Sequence, residues 1–190
     1  SLPEPDYIDV ACGGGGGTTV GLSLGLKLAG LKTKVVAVGI CKGLDDKNRY
    51  KKLFEETSKF LSSLDPSIPE FKFDLADVVW RNDFSKIGFE NRGYFSDHEY
   101  SETDKEIADA ISLFSDSEGI RLDGTYTGKV FCALLRDLKS KKLKDEVVLF
   151  WNTFSSGVGN EVIGDMTYHE LPRQFHHFFQ SELQENDLSV

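Results

Sequence analysis

The chain has 190 residues, 39% of them hydrophobic, which is enough to bury one substantial core. Its formal net charge of −9 argues against nucleic-acid binding, because that function needs clustered Lys and Arg to replace phosphate counterions. No apolar run approaches the roughly 20 residues of a membrane span, and the first residues lack the basic and apolar regions of a signal peptide. We therefore expect a cytoplasmic protein without a nucleic-acid or membrane partner.

The cysteines and histidines form no pattern typical of metal ligands or disulfides. The three cysteines, Cys12, Cys41 and Cys132, are odd in number and lack metal-type spacing, so we interpret them as buried thiols. At the end of a strand beside an anion site, Cys12 would have a lowered thiol pKa. No histidine pair has helical spacing with carboxylate support, so we predict no metal site.

The first part of the chain reads as a strand, a glycine loop, a helix and a second strand. Residues Tyr7–Ala11 form a short apolar strand, and Val20–Gly30 has apolar residues near helical spacing. Residues Lys34–Ile40 are an uninterrupted, mostly β-branched run, typical of a strand buried on both faces. The unit is thus βαβ, which requires parallel strands.

Helices and strands continue to alternate along the rest of the chain. In order, the pattern predicts a helix over Asp45–Leu64, a weak strand over Asp77–Trp80, helices over Thr103–Ser115 and Gly128–Leu138, a strand over Glu146–Trp151 and a helical segment over Leu171–Leu183. This alternation predicts an α/β fold, a three-layer open, mostly parallel twisted sheet with helices on both faces. We expect one α/β domain over residues 1–164 and a C-terminal extension over residues 165–190 that packs on the domain or on a partner.

The glycine loop is the strongest functional signal in the sequence. Five glycines, Gly13–Gly17, precede Thr18 and Thr19 between a strand and a helix, where backbone N–H groups and the helix dipole favour an anion. A plain turn needs only one or two glycines. The P-loop Lys-Ser/Thr pair is absent, and the dinucleotide pattern lacks its glycine triple and its acidic residue. A nicotinamide-dependent oxidoreductase is therefore only a minor alternative.

Three segments in the same order resemble one enzyme family. They are Ala11–Gly25, Gly119–Lys129 and Val147–Gly157. Together they are similar to the phosphate loop, the G-I-x-L-D-P-x-Y-T-G-K segment and the H-T-G-G strand end of the pyridoxal-phosphate-dependent D-cysteine desulfhydrase and 1-aminocyclopropane-1-carboxylate deaminase family of fold type II. The resemblance implies part of a large domain like that of the tryptophan synthase β subunit.

The resemblance also implies the cofactor pyridoxal 5'-phosphate and the residues around it. The cofactor-binding residues would be Gly14, Gly15, Gly16, Gly17, Thr18, Thr127 and Thr153. The first five would hold the phosphate, and Thr153 would approach the pyridine nitrogen. Tyr126 is the leading acid–base candidate and Tyr94 a weaker second one. Thr127 favours the desulfhydrase branch, since the cyclopropane deaminases carry Glu at this position.

The sequence also departs from the family pattern. Asn152-Thr153-Phe154-Ser155 replaces His-Thr-Gly-Gly, and Gly124 replaces a proline. The family's Schiff-base lysine, which lies upstream of the phosphate loop, has no counterpart, and Lys129 is interpreted as structural. We therefore expect that the chain is the C-terminal part of an enzyme that acts on small amino acids and that this part is inactive alone. The full-length enzyme is expected to be a homodimer. The alternative is a non-catalytic phosphate-ligand-binding or assembly module of the same fold.

Overall fold

A four-stranded parallel sheet forms the centre of the protein. The structure, a computed structural model, describes residues 3–13, 16–40, 47–81, 105–153 and 166–180. The strands are β1 (Tyr7–Cys12), β2 (Lys34–Gly39), β3 (Val78–Arg81) and β4 (Val148–Phe150), in the spatial order β3-β2-β1-β4. All three neighbouring pairs are parallel. β1 is therefore flanked by β2 on one side and by β4 on the other.

Four α-helices lie between the strands in the described part of residues 1–153. They are α1 (Gly17–Ala29), α2 (Lys47–Leu64), α3 (Lys105–Glu118) and α4 (Thr127–Lys139). Gly30 caps the C-terminus of α1, and its left-handed φ of 67° turns the chain so that the N–H of Leu31 donates to the carbonyl of Leu26. α1 begins three residues before the predicted Val20, directly after the glycine loop, so the loop is shorter than expected.

The helices cover both faces of the sheet. On one face Ala37 of β2 packs in a buried cluster with Val20 and Leu24 of α1 and with Tyr50 and Phe54 of α2. On the other face, residues of β2, α3 and α4 form a second buried cluster. Its members are Val36 and Val38 of β2, Ile107 and Ala110 of α3, and Val130, Cys132 and Ala133 of α4. Successive strand residues point to opposite faces, so a strand buried on both sides must be apolar throughout. The predicted α/β fold class is confirmed.

The C-terminal part forms a separate compact unit. The chain divides into residues 1–153 and residues 154–190. In the second unit the described residues form two short 3-10 helices, Tyr168–Glu170 and Arg173–Phe179, and the rings of Tyr168 and Phe179 stack with centroids 5.3 Å apart. The helical segment predicted from Leu171 is thus a 3-10 helix where it is described. The predicted boundary at 164/165 lies outside the described residues and stays a prediction.

Candidate functional site

The carboxyl ends of β1 and β4 meet at one edge of the sheet. Asp9 pairs with Phe150 in the parallel register, and the N–H of Trp151 donates to the carbonyl of Asp9 at 2.9 Å. The glycine loop after β1 and residues 151–153 after β4 therefore leave the sheet at the same edge. The strand order reverses at β1, and open α/β sheets bind ligands outside the carboxyl ends of the strands at such a point.

The glycine loop turns tightly between β1 and α1. The N–H of Gly16 donates to the carbonyl of Gly13 at 3.1 Å, and Gly16 has a left-handed φ of 64°. A Cβ at Gly16 would lie 2.1 Å from Cε1 of Tyr50, so no larger side chain fits there without a shift of the ring. Gly14 and Gly15, two of the predicted phosphate ligands, lie outside the described residues.

The N-terminus of α1 is open to an anion. Its N-cap residue, Gly16, has no side chain that could cap it, and its first turn contains no acidic residue. Gly17 and Thr18 are exposed at this end. The first N–H groups of a helix have no intrahelical partner, and together with the helix dipole they attract negative charge. Gly16, Gly17 and Thr18 thus form a backbone site that suits a phosphate.

Cys12, the last residue of β1 before the glycine loop, is buried. Its Sγ lies 2.6 Å from Oη of Tyr50, a hydrogen bond in which either atom can be the donor, and it accepts a weaker one of 3.5 Å from the hydroxyl of Thr19. Burial raises the pKa of the Cys12 thiol, and the hydrogen bonds from Thr19 and Tyr50 oppose this only in part. The predicted lowering of this pKa is wrong, because desolvation of the buried thiol outweighs its hydrogen bonds.

Asp123 organises the start of α4, where Tyr126 and Thr127 lie. Its carboxylate accepts from the N–H groups of Thr125, Tyr126 and Thr127 and from the hydroxyl of Thr127. The Thr127 hydroxyl also accepts from the N–H of Asp123, so this buried side chain belongs to the cap. The Tyr126 side chain is 39% exposed. Asp123 was not predicted from the sequence, although an Asp shortly before a helix is a recognised capping signal.

The other predicted residues have different environments. Thr153 is exposed and lies three residues beyond the end of β4. Tyr94 lies outside the described residues. Lys129 is only 4% exposed in the first turn of α4, as expected for a structural lysine.

A buried charged group lies elsewhere on β1. Asp9 is buried in the middle of the strand, and burial raises its pKa to about 6. The charge of Arg81 opposes this rise and that of Asp137 adds to it. Arg81, at the end of β3, forms an ion pair with Asp137 of α4. Asp9 was not predicted as a notable residue, although an acidic residue between apolar residues of a predicted strand indicates a buried carboxyl group.

The family model described as "Pyridoxal-phosphate dependent enzyme" matches residues 1–153. The chain belongs to this family. Two curated relatives, from Pyrococcus furiosus and Pyrococcus abyssi, are both named "Putative 1-aminocyclopropane-1-carboxylate deaminase". They are 32% and 30% identical over 78% and 74% of this chain. The chain spans 39% and 36% of the lengths of these relatives.

A solved structure agrees with these relatives. The crystal structure of an ACC deaminase homologue superposes with a TM-score of 0.59 at 27% identity, over 80% of this chain and 40% of the other. The predicted family resemblance is confirmed, and with it the dependence of the family on pyridoxal phosphate. The α1 N-terminus fits the phosphate of that cofactor, since it offers uncapped N–H groups and no competing carboxylate in its first turn.

Two further findings concern other kinds of site. Among the described residues no helix is both long and apolar enough to cross a membrane. Within the same ranges, no three His, Cys, Asp or Glu side chains are grouped so that they could hold a metal ion.

Proposed function

We propose that this chain contributes the cofactor-phosphate-binding part of a pyridoxal-phosphate enzyme that acts on small amino acids by deamination or β-elimination. The observation that carries the proposal is the uncapped N-terminus of α1 at the edge where β1 and β4 end. A dianionic phosphate at this position would be stabilised by the first N–H groups of the helix and by its dipole.

The residues of the chain would divide the work as follows. Residues Gly14–Gly17 and Thr18 would bind the phosphate through backbone N–H groups and a hydroxyl. Thr153 would approach the pyridine nitrogen from the end of β4. Thr127, whose hydroxyl donates to the carboxylate of Asp123, would be a further cofactor-binding residue at the start of α4. When bound, pyridoxal phosphate supplies an electron sink for electrons released from the substrate. The neutral hydroxyl of Thr153 suits chemistry that does not require a strongly protonated ring.

Tyr126 would be the leading acid–base group. Asp123 accepts a 2.6 Å hydrogen bond from the backbone N–H of Tyr126 and so fixes where the side chain begins. The partly exposed ring can therefore meet a substrate without moving the helix. A phenol held at a fixed position can give a proton to, or take one from, a substrate carbon or leaving group. Tyr94 would be a second such group.

The substrate proposal follows the desulfhydrase branch. Thr127 occupies the position where cyclopropane deaminases carry Glu, so we propose D-cysteine, which with water yields pyruvate, ammonia and hydrogen sulfide. The two curated relatives are named for 1-aminocyclopropane-1-carboxylate, which is the second substrate to test. We further propose a homodimer at full length and a cytoplasmic location.

Binding of pyridoxal 5'-phosphate to the full 190-residue chain tests the proposal directly. Gly17→Asp adds a carboxylate at the start of α1, where the backbone is not strained and a Cβ meets nothing within 4 Å. The acid should stabilise the helix by about 0.3–1 kcal/mol while it repels the phosphate, so affinity should fall by about tenfold or more without a loss of stability.

Gly25→Asp is the matched control. It makes the same change at an exposed position of the same helix with equally open space. Equal affinities for the two variants, or an unchanged affinity in Gly17→Asp, would contradict the phosphate site at α1.

Turnover separates the enzyme from its alternative. Asn152 and Phe154, where the family has His and Gly, favour a non-catalytic phosphate-ligand-binding or assembly module as the second candidate. A full-length protein that contains this chain should release sulfide from D-cysteine, and the 190-residue chain alone should not. Turnover by the chain alone would refute the argument from the missing lysine. Cofactor binding without turnover by the full-length protein on either substrate would favour the non-catalytic module.

A further inference from the structure

A buried contact ties the two ends of the glycine loop to α2. Cys12 is the last residue of β1, Thr19 lies in the first turn of α1, and Tyr50 lies in the first turn of α2. The Cys12 sulfur is hydrogen-bonded to both hydroxyls. All three side chains are buried, so water does not compete for these bonds.

The ring of Tyr50 also lies directly against Gly16, the last residue before α1. A Cβ at Gly16 would collide with this ring, within 2.9 Å of three of its carbons. The ring also packs edge-on against Trp80 of β3, with centroids 4.4 Å apart and an interplanar angle of 62°. Tyr50 thus contacts β3 and lies against Gly16, and its position limits how closely the backbone of Gly16 can approach α2.

We propose that Tyr50 is a positioning residue for the cofactor phosphate: its ring supports Gly16 and its hydroxyl holds Cys12, so that the first N–H groups of α1 keep a binding arrangement. This inference rests on the proposed function. Positioning matters here because five glycines leave the loop many conformations, and ordering them on binding would cost affinity. A loop already held from below loses less entropy when the phosphate arrives.

The protonation of Cys12 is compatible with this role. Burial raises the pKa of its thiol, so the sulfur is a neutral partner near pH 7. A thiolate at this position would place a negative charge beside the first turn of α1 and would disfavour a bound phosphate. The contact with Tyr50 therefore supports the loop without adding a competing anion.

Two variants of the full 190-residue chain test the contact. Tyr50→Phe keeps the ring and removes the hydroxyl, and Cys12→Ala removes its partner. Tyr50→Phe should weaken the binding of pyridoxal 5'-phosphate, and of inorganic phosphate measured as its competitor, by about fivefold, the value of one lost hydrogen bond. Cys12→Ala should weaken both by at least as much, because it also removes the weaker bond from Thr19. The affinity for pyridoxal, which lacks the phosphate, should change little. The double variant should lose little more than Cys12→Ala alone, since that change already removes the bond to Tyr50.

Tyr7→Phe is the control, because it makes the same chemical change at the opposite end of β1. A merely structural role of Tyr50 would lower the melting temperature and leave the ratio of the affinities for pyridoxal 5'-phosphate and pyridoxal unchanged. That result, or unchanged phosphate affinity in Tyr50→Phe, would overturn the inference. If Tyr50→Phe did not fold, Cys12→Ala would decide the matter by the same ratio. A wild-type chain that did not bind pyridoxal 5'-phosphate would instead overturn the proposed function.

Discussion

Replacing Asp9 by Asn should make the protein more stable relative to the wild type as the pH rises. Burial raises the pKa of Asp9 to about 6, against an ordinary 3.8, so the folded chain keeps this proton where the unfolded chain has lost it. Between these pH values the folded state binds more protons, and the free energy of unfolding falls as the pH rises. Above about pH 6 the full cost is present, and 2.2 pH units correspond to about 3 kcal/mol.

Urea unfolding of both proteins at several values between about pH 4 and pH 7.5 measures this effect. Asn has nearly the same shape and no charge, so the difference between variant and wild type isolates Asp9 from all other titrating groups. We expect this difference to rise by about 3 kcal/mol in favour of Asp9→Asn across the range. A difference that is flat or that falls with pH would show that the attraction of Arg81 balances or outweighs desolvation, and would refute the reasoning.

Three other substitutions test the local structure of the site. Gly128→Ala places a Cβ 2.7 Å from both the carbonyl of Asp123 and a side-chain carbon of Ile111, and should lower the free energy of unfolding by about 1–3 kcal/mol in thermal or urea unfolding. Gly25→Ala, in open space, should raise it by about 0.5–1 kcal/mol. A similar result for both variants would contradict the close packing at Gly128. Asp123→Ala removes the acceptor for three N–H groups and should cost about 1–2 kcal/mol, and an unchanged melting temperature would refute its capping role. Gly16→Ala combines a positive φ with a collision with Tyr50, so cofactor affinity and stability should both fall, and retention of either would contradict the loop geometry.

The candidate phosphate site could be proposed from the sequence because the features that suggest it are local. Consecutive glycines between a strand and a helix predict an anion site, and the structure has an uncapped helix start there. The role of Thr127 was less accessible. Its hydroxyl forms hydrogen bonds with Asp123, four residues earlier, and both residues cap the start of α4. These bonds depend on the conformation of the turn before α4, which the sequence pattern does not specify.

The sequence by itself determined the alternation of strands and helices, the parallel sheet and the glycine loop, since these depend on hydrophobic periodicity and on residues adjacent in the chain. Only the tertiary structure decided what lies around them. It brings Tyr50 of α2 under Gly16 and places β4 beside β1. It also surrounds Asp9 with low-dielectric interior and two distant charges. These contacts join residues far apart in sequence, and their energies depend on burial, which no local pattern specifies.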